Sequence, residues 1–257
     1  MKINLIIGAG QLGSRHLQAL IRVDYLQKIF VLDPSKSSLD IAKKRAAEII
    51  TDTEIVYVDD WEKIPLILDL VIVATNADVR FEICNHLFGC FDVKYAILEK
   101  VLFQDISSFE KIEELIVEKK IKVWVNHPRR EWIVYRDLKE SFLIDDRLIS
   151  FEFFGSNWGL ASNSLHLIDL CSYLSSSEVS EIDSEFVDNV LLESKRSGFI
   201  EFSGIISGTL NNGVDFFLNA FKSEKIECIF DIKDISYMGF VDVLKNIFSI
   251  KKKINFA

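Results

Sequence analysis

Three groups of residues in this chain have types and spacings that could do chemistry. The first is Gly8-Ala9-Gly10-Gln11-Leu12-Gly13, followed by Asp33 twenty positions past Gly13. In a turn of this kind Gly8 permits the tight bend, Gly10 lets the backbone approach a pyrophosphate, and Gly13 lets a helix pack closely on a strand. The amides of Gln11, Leu12 and Gly13 open that helix and point at phosphate, while Asp33 accepts hydrogen bonds from ribose hydroxyls. A carboxylate at Asp33 repels a 2′-phosphate and so favours NAD, although Ser35 and Lys36 could still accommodate NADP. The second group is polar and ends apolar runs: Thr75-Asn76, Glu99-Lys100 and Asn126-His127-Pro128-Arg129-Arg130. At a strand end Lys100 can be desolvated, which lowers an ammonium pKa toward the range of an acid/base catalyst. The third is His166 with Asp169, three positions apart on an expected helix and therefore on one face, where the acid could orient the imidazole. Asn163, one turn earlier, is a candidate contact for a substrate hydroxyl.

The elements that must carry these residues follow from the apolar pattern. Ile3 to Ile7, Ile29 to Leu32, Glu54 to Val58, Ile67 to Thr75, Tyr95 to Leu98 and Ile121 to Val125 read as strands. Helical patterns lie between them, one of them opened by a capping box of Ser107 and Glu110. Strands alternating with helices imply a parallel, doubly wound sheet, in which ligands bind beyond the carboxyl ends of the strands. Each candidate up to Arg130 falls at such an end. Beyond about residue 145 the pattern changes. Leu148 to Gly155 reads as a strand and Asn163 to Leu174 as a helix. Strands follow over Glu185 to Leu192, Gly198 to Ile206, Val214 to Phe221 and Lys225 to Ile232. The fold class is therefore α/β: a doubly wound parallel-sheet domain over residues 1–125 and an α+β domain with a mostly antiparallel sheet over 126–257.

Composition bounds the function. With 257 residues and 49% hydrophobic content the chain can bury a large core, and a net charge of -9 argues against a nucleic-acid binder. Cys84, Cys90, Cys171 and Cys228 have neither metal-ligand spacing nor a disulfide pattern and read as buried thiols in a reducing cytoplasm. No metal site is expected. No apolar run reaches the roughly 18 residues of a membrane span, and the N-terminus carries no leader pattern. Several residues admit two readings. Asn126 and Arg130 are either structural or substrate-facing, and His127 either contacts substrate or is merely exposed by the turn at Pro128. Lys195-Arg196 could hold a nucleotide-sugar phosphate or form a solvated turn. His16 and His86 read as helix-packing or surface residues. Phe240 to Phe248 reads as a packed helix before the frayed tail at Lys251-Lys252-Lys253.

These residues resemble the glucose-fructose oxidoreductase / inositol dehydrogenase family, Gfo/Idh/MocA. The matching pieces are Gly8 to Leu20, Asp33, Ala74-Thr75-Asn76, Glu99-Lys100, Asn126 to Arg130 and His166-Leu167-Ile168-Asp169. Gly155 to Leu160 is similar to members from bacterial surface-glycan gene clusters. The resemblance implies that the first domain is a Rossmann domain and the second sheet open-faced, with a nicotinamide cofactor held by the glycine turn, Asp33, Thr75, Asn76 and Glu99. It also implies a sugar or nucleotide-sugar substrate, acid/base or positioning roles for Lys100 and His166, and a homo-oligomer formed through the second sheet. Four features depart from the family pattern. Val101 follows the lysine where the family has proline. Asn76 follows Thr75 where the family has proline. Ser162 stands where the family often has an acid four residues before the histidine, and the chain is short at its C-terminus. A non-catalytic cofactor-binding sensor or partner subunit is therefore the competing expectation.

Overall fold

The computed structural model describes residues 1–144, 148–194, 198–222, 228–234, 237–242 and 247–252. The chain divides into two compact units, Met1–Asn126 and His127–Ala257.

In the N-terminal unit six strands form one parallel sheet. They are β1 (Lys2–Ile7), β2 (Gln27–Leu32), β3 (Glu54–Val58), β4 (Ile67–Val73), β5 (Asp92–Leu98) and β6 (Lys122–Val125). The crossovers are α1 (Gly13–Ile21), α2 (Lys36–Ala46), α3 (Ala77–Cys90) and α4 (Ile106–Lys119). The period-two alternation of side chains along a strand divides the core. Leu5, Ile7, Val71 and Val73 pack with Leu87 and Phe88 of α3, whereas Ile6, Ile29, Val31 and Ile72 pack with Leu17, Leu20 and Leu39 of α1 and α2. Burial on both faces is the reason these strands read as almost unbroken apolar runs, each large side chain contributing about 1.5–3 kcal/mol. The strand order is β3-β2-β1-β4-β5-β6. Connections leave β1 in one direction and β4 in the other, which opens a crevice at the carboxyl ends of those two strands.

One local expectation is corrected. The helix α4 is capped by Asp105, whose carboxylate accepts from Ser108 N at 2.9 Å and Ser108 Oγ at 2.6 Å, not by a box of Ser107 and Glu110. An aspartate one turn earlier reaches the free amides directly.

The C-terminal unit begins with a 3-10 turn, Pro128–Glu131, and α5 (Ile133–Ile144), a helix that the residue pattern did not announce. There follow β7 (Leu148–Ser156), α6 (Leu160–Ser175), β8 (Val179–Asp183), the short pair β9 (Leu192–Glu193) and β10 (Ile200–Glu201), then β11 (Gly204–Leu210) and β12 (Asp215–Phe221). The chain continues through β13 (Cys228–Asp234), β14 (Tyr237–Asp242) and β15 (Ile247–Lys252). Seven strands form a mixed sheet in the order β15-β14-β13-β7-β12-β11-β8, with β7 and β12 parallel and the other pairs antiparallel. Phe151, Phe153, Phe216 and Leu218 point to one face and pack on Leu160, Leu167, Leu170 and Leu174 of α6. The residues between them point the other way and leave Phe154, Phe217 and Phe221 exposed.

Three expectations change here. The run from Glu185 to Leu192 is not a strand: apart from β9 it is turn and coil, and β8 instead covers Val179–Asp183. The run from Gly198 to Ile206 breaks into β10 and β11, because Gly204 takes a positive φ of +110° against the backbone of Phe186 to Asp188. Of the segment expected as a terminal helix, Phe240 to Asp242 lie in β14 and Ile247 and Phe248 in β15, where pairing with neighbouring strands satisfies the backbone that a helix would satisfy internally, and 243–246 lie outside the described residues. Cys84 and Cys171 are buried free thiols as expected, burial pushing both up to about 12, but Cys90 is exposed. The side chain of Cys228, the pair Lys195-Arg196 and the side chains of the terminal lysine run lie outside the described residues. No helix among the described residues is long and apolar enough to cross a membrane.

Candidate active site

The glycine turn joins β1 to α1, and its three glycines meet different demands. Gly8 has φ +91°, and a Cβ there would stand 3.0 Å from the Ala74 carbonyl carbon. A Cβ on Gly13 would lie 1.7 Å from Gly8 O, far closer than carbon and oxygen can approach without a bond. Around Gly10 a Cβ would meet nothing within 4 Å, so this position is required by neither space nor φ and is kept clear on its outer side. That open cradle is where a pyrophosphate would lie against the first amides of α1, which has no side-chain cap. From α2, Arg45 donates to Gln11 O and to Ser14 Oγ, each at 2.6 Å, and to Gln11 Oε1, clamping the turn from outside.

Asp33 stands at the end of β2. Its Oδ2 accepts from Ala9 N at 2.7 Å and its Oδ1 from Ser35 N at 2.8 Å, which orients the carboxylate beside the glycine turn. Each oxygen keeps a second lone pair for a ribose hydroxyl. Glycine cradle, helix amides and oriented carboxylate together fit an adenine dinucleotide.

Thr75 ends β4 beside this turn, with its Cγ2 3.1 Å from the Cβ position of Gly8, and Asn76 is the N-cap residue of α3. A residue that the sequence reading missed organises the neighbourhood. Arg80, only 2% exposed, donates to Thr75 O, Val101 O and Leu102 O, and so ties the loop after β4 to the loop carrying Lys100. Burial lowers its pKa, and Cys84, Glu99 and Asp78 act in the opposite sense. Removing the guanidinium strands buried carbonyls, so Arg80→Ala is expected to cost about 3 kcal/mol in urea unfolding. Lys100 is half-buried directly after β5, and the Lys100–Val101 peptide is cis.

Glu99 is 4% exposed, and its Oε1 accepts from His16 Nε2 at 2.7 Å and from Asn126 Nδ2 at 2.6 Å. His16, expected as a packing residue, thus links α1 to the end of β5. Asn126 supports Glu99, the structural of its two readings. Burial pushes the Glu99 carboxyl up, but the bonds from His16 and Asn126, with the charges of His16 and Arg80, outweigh it and hold the group below its ordinary value of 4.5. Because the folded pKa is depressed, the stabilisation is complete above pH 4.5 and is lost as pH falls through the lower folded value. Glu99→Gln should therefore melt lower than the parent at neutral pH, by about 2–4 °C, with the gap closing in acid.

In the C-terminal unit, the expectation that Asp169 orients His166 is corrected. Both Asp169 oxygens accept from Arg130, from Nε at 2.7 Å and Nη2 at 2.5 Å, a bidentate pair that also gives Arg130 its structural reading. A planar guanidinium fork outcompetes an imidazole for a carboxylate. The partner of His166 is His127, with Nδ1 to Nδ1 at 3.3 Å. Asn163 donates to Trp158 O at 2.6 Å and Gly159 O at 3.3 Å, so its amide nitrogen braces the entry to α6 instead of reaching outward to a hydroxyl. Glu201, from β10, accepts from Ala161 N at 2.9 Å and places a carboxylate at that helix N-terminus. Among the described residues no group of three or more His, Cys, Asp or Glu is placed to hold a metal ion.

Arg80, Arg45, His16 and Glu201 act through contacts between residues far apart in sequence, and no local spacing marked those roles, whereas His127 was marked by its place at a strand end but not by its partner. Of the first four, Arg80 alone left a signal, a cation on an otherwise inward-facing position of α3.

Comparison with known proteins agrees with this geometry. Residues 3–127 match the model of the Gfo/Idh/MocA oxidoreductase family, NAD-binding Rossmann fold. Among solved structures, UDP-N-acetylglucosamine 3-dehydrogenase GnnA from Acidithiobacillus ferrooxidans is 15% identical, with a TM-score of 0.73, covering 99% of this chain and 78% of that one. A super-repressor mutant of Gal80p from Saccharomyces cerevisiae is 16% identical, TM-score 0.74, over 100% and 81% of the two chains. Apo scyllo-inositol dehydrogenase from Lactobacillus casei is 15% identical, TM-score 0.67, over 99% and 76%. At these identities the structures speak for the fold alone. A search of curated proteins finds no match. With a doubly wound sheet, a fitted glycine cradle and an oriented Asp33 all lying in the matched region, residues 3–127 form an NAD-binding Rossmann domain of the Gfo/Idh/MocA oxidoreductase type.

Proposed function

We propose that this protein is an NAD-dependent dehydrogenase acting on a hydroxyl of a sugar or nucleotide sugar, in bacterial surface-glycan synthesis. The observation that carries the reading is the single N-terminal unit in which the open cradle at Gly10, the oriented Asp33 and the braced Glu99-Lys100 segment occur together. Bound nicotinamide supplies the hydride acceptor or donor. The chain's own residues do the rest: the turn from Gly8 to Gly13 and Asp33 hold the dinucleotide, and Thr75, Asn76 and Glu99 shape the adjoining segment. Lys100 and His166 move the hydroxyl proton. Asn126, Arg130 and Asn163 serve by bracing, given their bonds to Glu99, Asp169 and the Trp158 carbonyl. In this reading the unit Met1–Asn126 carries the cofactor function and the unit from His127 onward the substrate function. The exposed Phe154, Phe217 and Phe221 support association of two copies through the mixed sheet, and the free thiols support a cytoplasmic setting.

Two observations favour a second reading. Ser162 holds no carboxylate, and the fold is shared with a super-repressor mutant of Gal80p, so a cofactor-binding sensor is the competitor. Titrating the purified chain with NADH and NADPH, read by energy transfer from its four tryptophans, tests both. Selective NADH binding followed by turnover of a nucleotide sugar is expected. Binding without turnover across a sugar panel favours the sensor, and no binding at millimolar cofactor removes both readings.

A further inference from the structure

The imidazoles of His127 and His166 approach through Nδ1 atoms 3.3 Å apart, with ring planes at 81°. Two bare lone pairs would repel at that distance and two N–H groups would collide, so one proton lies between them. With its Nδ1 engaged, His166 can exchange a substrate proton only at Nε2. His127 precedes the 3-10 turn and is fixed in place because Arg130, in that turn, is locked to Asp169 of α6. The Arg130–Asp169 pair therefore sets the spacing of the two imidazoles.

We propose that His127 is a positioning residue for His166: it fixes the tautomer of the acid/base imidazole and shares its proton. In the reaction direction that oxidises a hydroxyl, His166 takes the proton at Nε2 and becomes an imidazolium. Its Nδ1–H bond to His127 is then charge-assisted, which stabilises the imidazolium. His166 returns the added proton from Nε2 to water, so protons balance, no electrons move and the pair regains its starting tautomers. The pair holds one added proton readily and resists a second, which would place two cations at this contact. The surroundings act in the same sense. The 3-10 turn brings Arg129, Arg130 and Glu131, and α5 brings Tyr135 and Lys139, the latter 4.1 Å from the ring centroid of Tyr173 on α6. Asp169 is neutralised by Arg130, and Glu201 is bonded to the Ala161 amide at the N-terminus of α6. The sheet meets α6 with phenylalanine and leucine, which do not titrate.

The identity of the proton source rests on the dehydrogenase reading, whereas the pair itself does not. With four histidines in the chain, long-range 1H–15N spectra of the full protein across pH 4 to 9 can follow each ring, with assignments from His127→Asn and His166→Asn. The expected result is that His127 and His166 shift together in two steps separated by more than about one pH unit. In His127→Asn, whose side-chain oxygen still accepts, His166 should titrate in one step and keep its Nδ1–H tautomer. In His127→Phe it should revert to the Nε2–H form. Independent single-step titrations, unchanged by removal of the other ring, would overturn the proposal whether or not the protein turns over a sugar. Coupled titration in a protein that oxidises no sugar supports the pair and counts against the dehydrogenase reading instead.

Discussion

Gly13→Ala should fail to fold into a cofactor-binding protein, while Gly10→Ala should fold normally and bind NADH at least tenfold more weakly, about 1.4 kcal/mol. The two substitutions add the same methyl group three residues apart in one turn. At Gly13 the added carbon would lie 1.7 Å from Gly8 O, and the obstacle is backbone that cannot rotate away. Either α1 moves off β1 or the turn opens. Overpacking of this kind reaches about 3 kcal/mol or more, a large share of the stability of a typical domain. At Gly10 nothing lies within 4 Å, so thermal stability should stay within about 1 kcal/mol of the parent. The loss there is confined to ligand, because the methyl group would occupy the space of the pyrophosphate. Equal NADH affinity in Gly10→Ala and the parent would mean that the dinucleotide does not lie against this turn. Urea unfolding paired with NADH titration separates the two effects.

Lys100→Ala and His166→Ala should each lower turnover about 10²–10⁴-fold, the range for a positioned acid or base, while NADH affinity stays within about twofold. On the proposed assignment of both residues to one proton, the double variant should lose less than the product of the single losses. Asp169→Asn is expected to behave differently. It leaves Arg130 without its bidentate carboxylate and so loosens the segment that carries His127. The resulting drop in turnover should come with a shift in the pH profile, which loss of general packing would not produce. If both alanine variants turn over like the parent, the proton is handled by other groups.

The N-terminal unit was legible in the residues because its chemistry is local. A strand buried on both faces has an unbroken apolar run, and a turn that carries phosphate needs glycines at fixed offsets, so Gly8 to Gly13, Asp33 and the ends of β4, β5 and β6 could be placed from spacing alone. The C-terminal unit was legible in class but not in detail. Its strands are half exposed, and a run such as Glu185 to Leu192 has strand-like composition yet pairs only at the isolated bridge from Val187 to Gly204 and at the short β9. The helix α5 opens on Trp132-Ile133-Val134-Tyr135, aromatic and β-branched residues with weak helix propensity, and is stabilised by packing on α6. In the site, adjacency on one helix face suggested that Asp169 serves His166. Arg130 and His127, more than thirty positions away in sequence, take those two partners instead. Local spacing ranks the near neighbours of a side chain, whereas long-range hydrogen bonds decide which of them it uses.

The parallel pairing of β7 with β12 inside an otherwise antiparallel sheet has a kinetic consequence. The N-terminal unit is built from neighbouring strand–helix–strand segments and is complete once residue 126 has been made. In the other unit β7 must wait, because Ser150 pairs with Asp215 and Phe151 with Phe216, and on its other edge Phe153 pairs with Phe230. Long loops have to close before the central strand gains either neighbour, which slows assembly in proportion to the sequence separation of its contacts. During synthesis, α6 follows at once and can cover Phe151 and Phe153, but both edges of β7 emerge early and stay unpaired until most of the remaining chain has followed. The half of the molecule that carries His166 is the half most exposed to aggregation while it is being made.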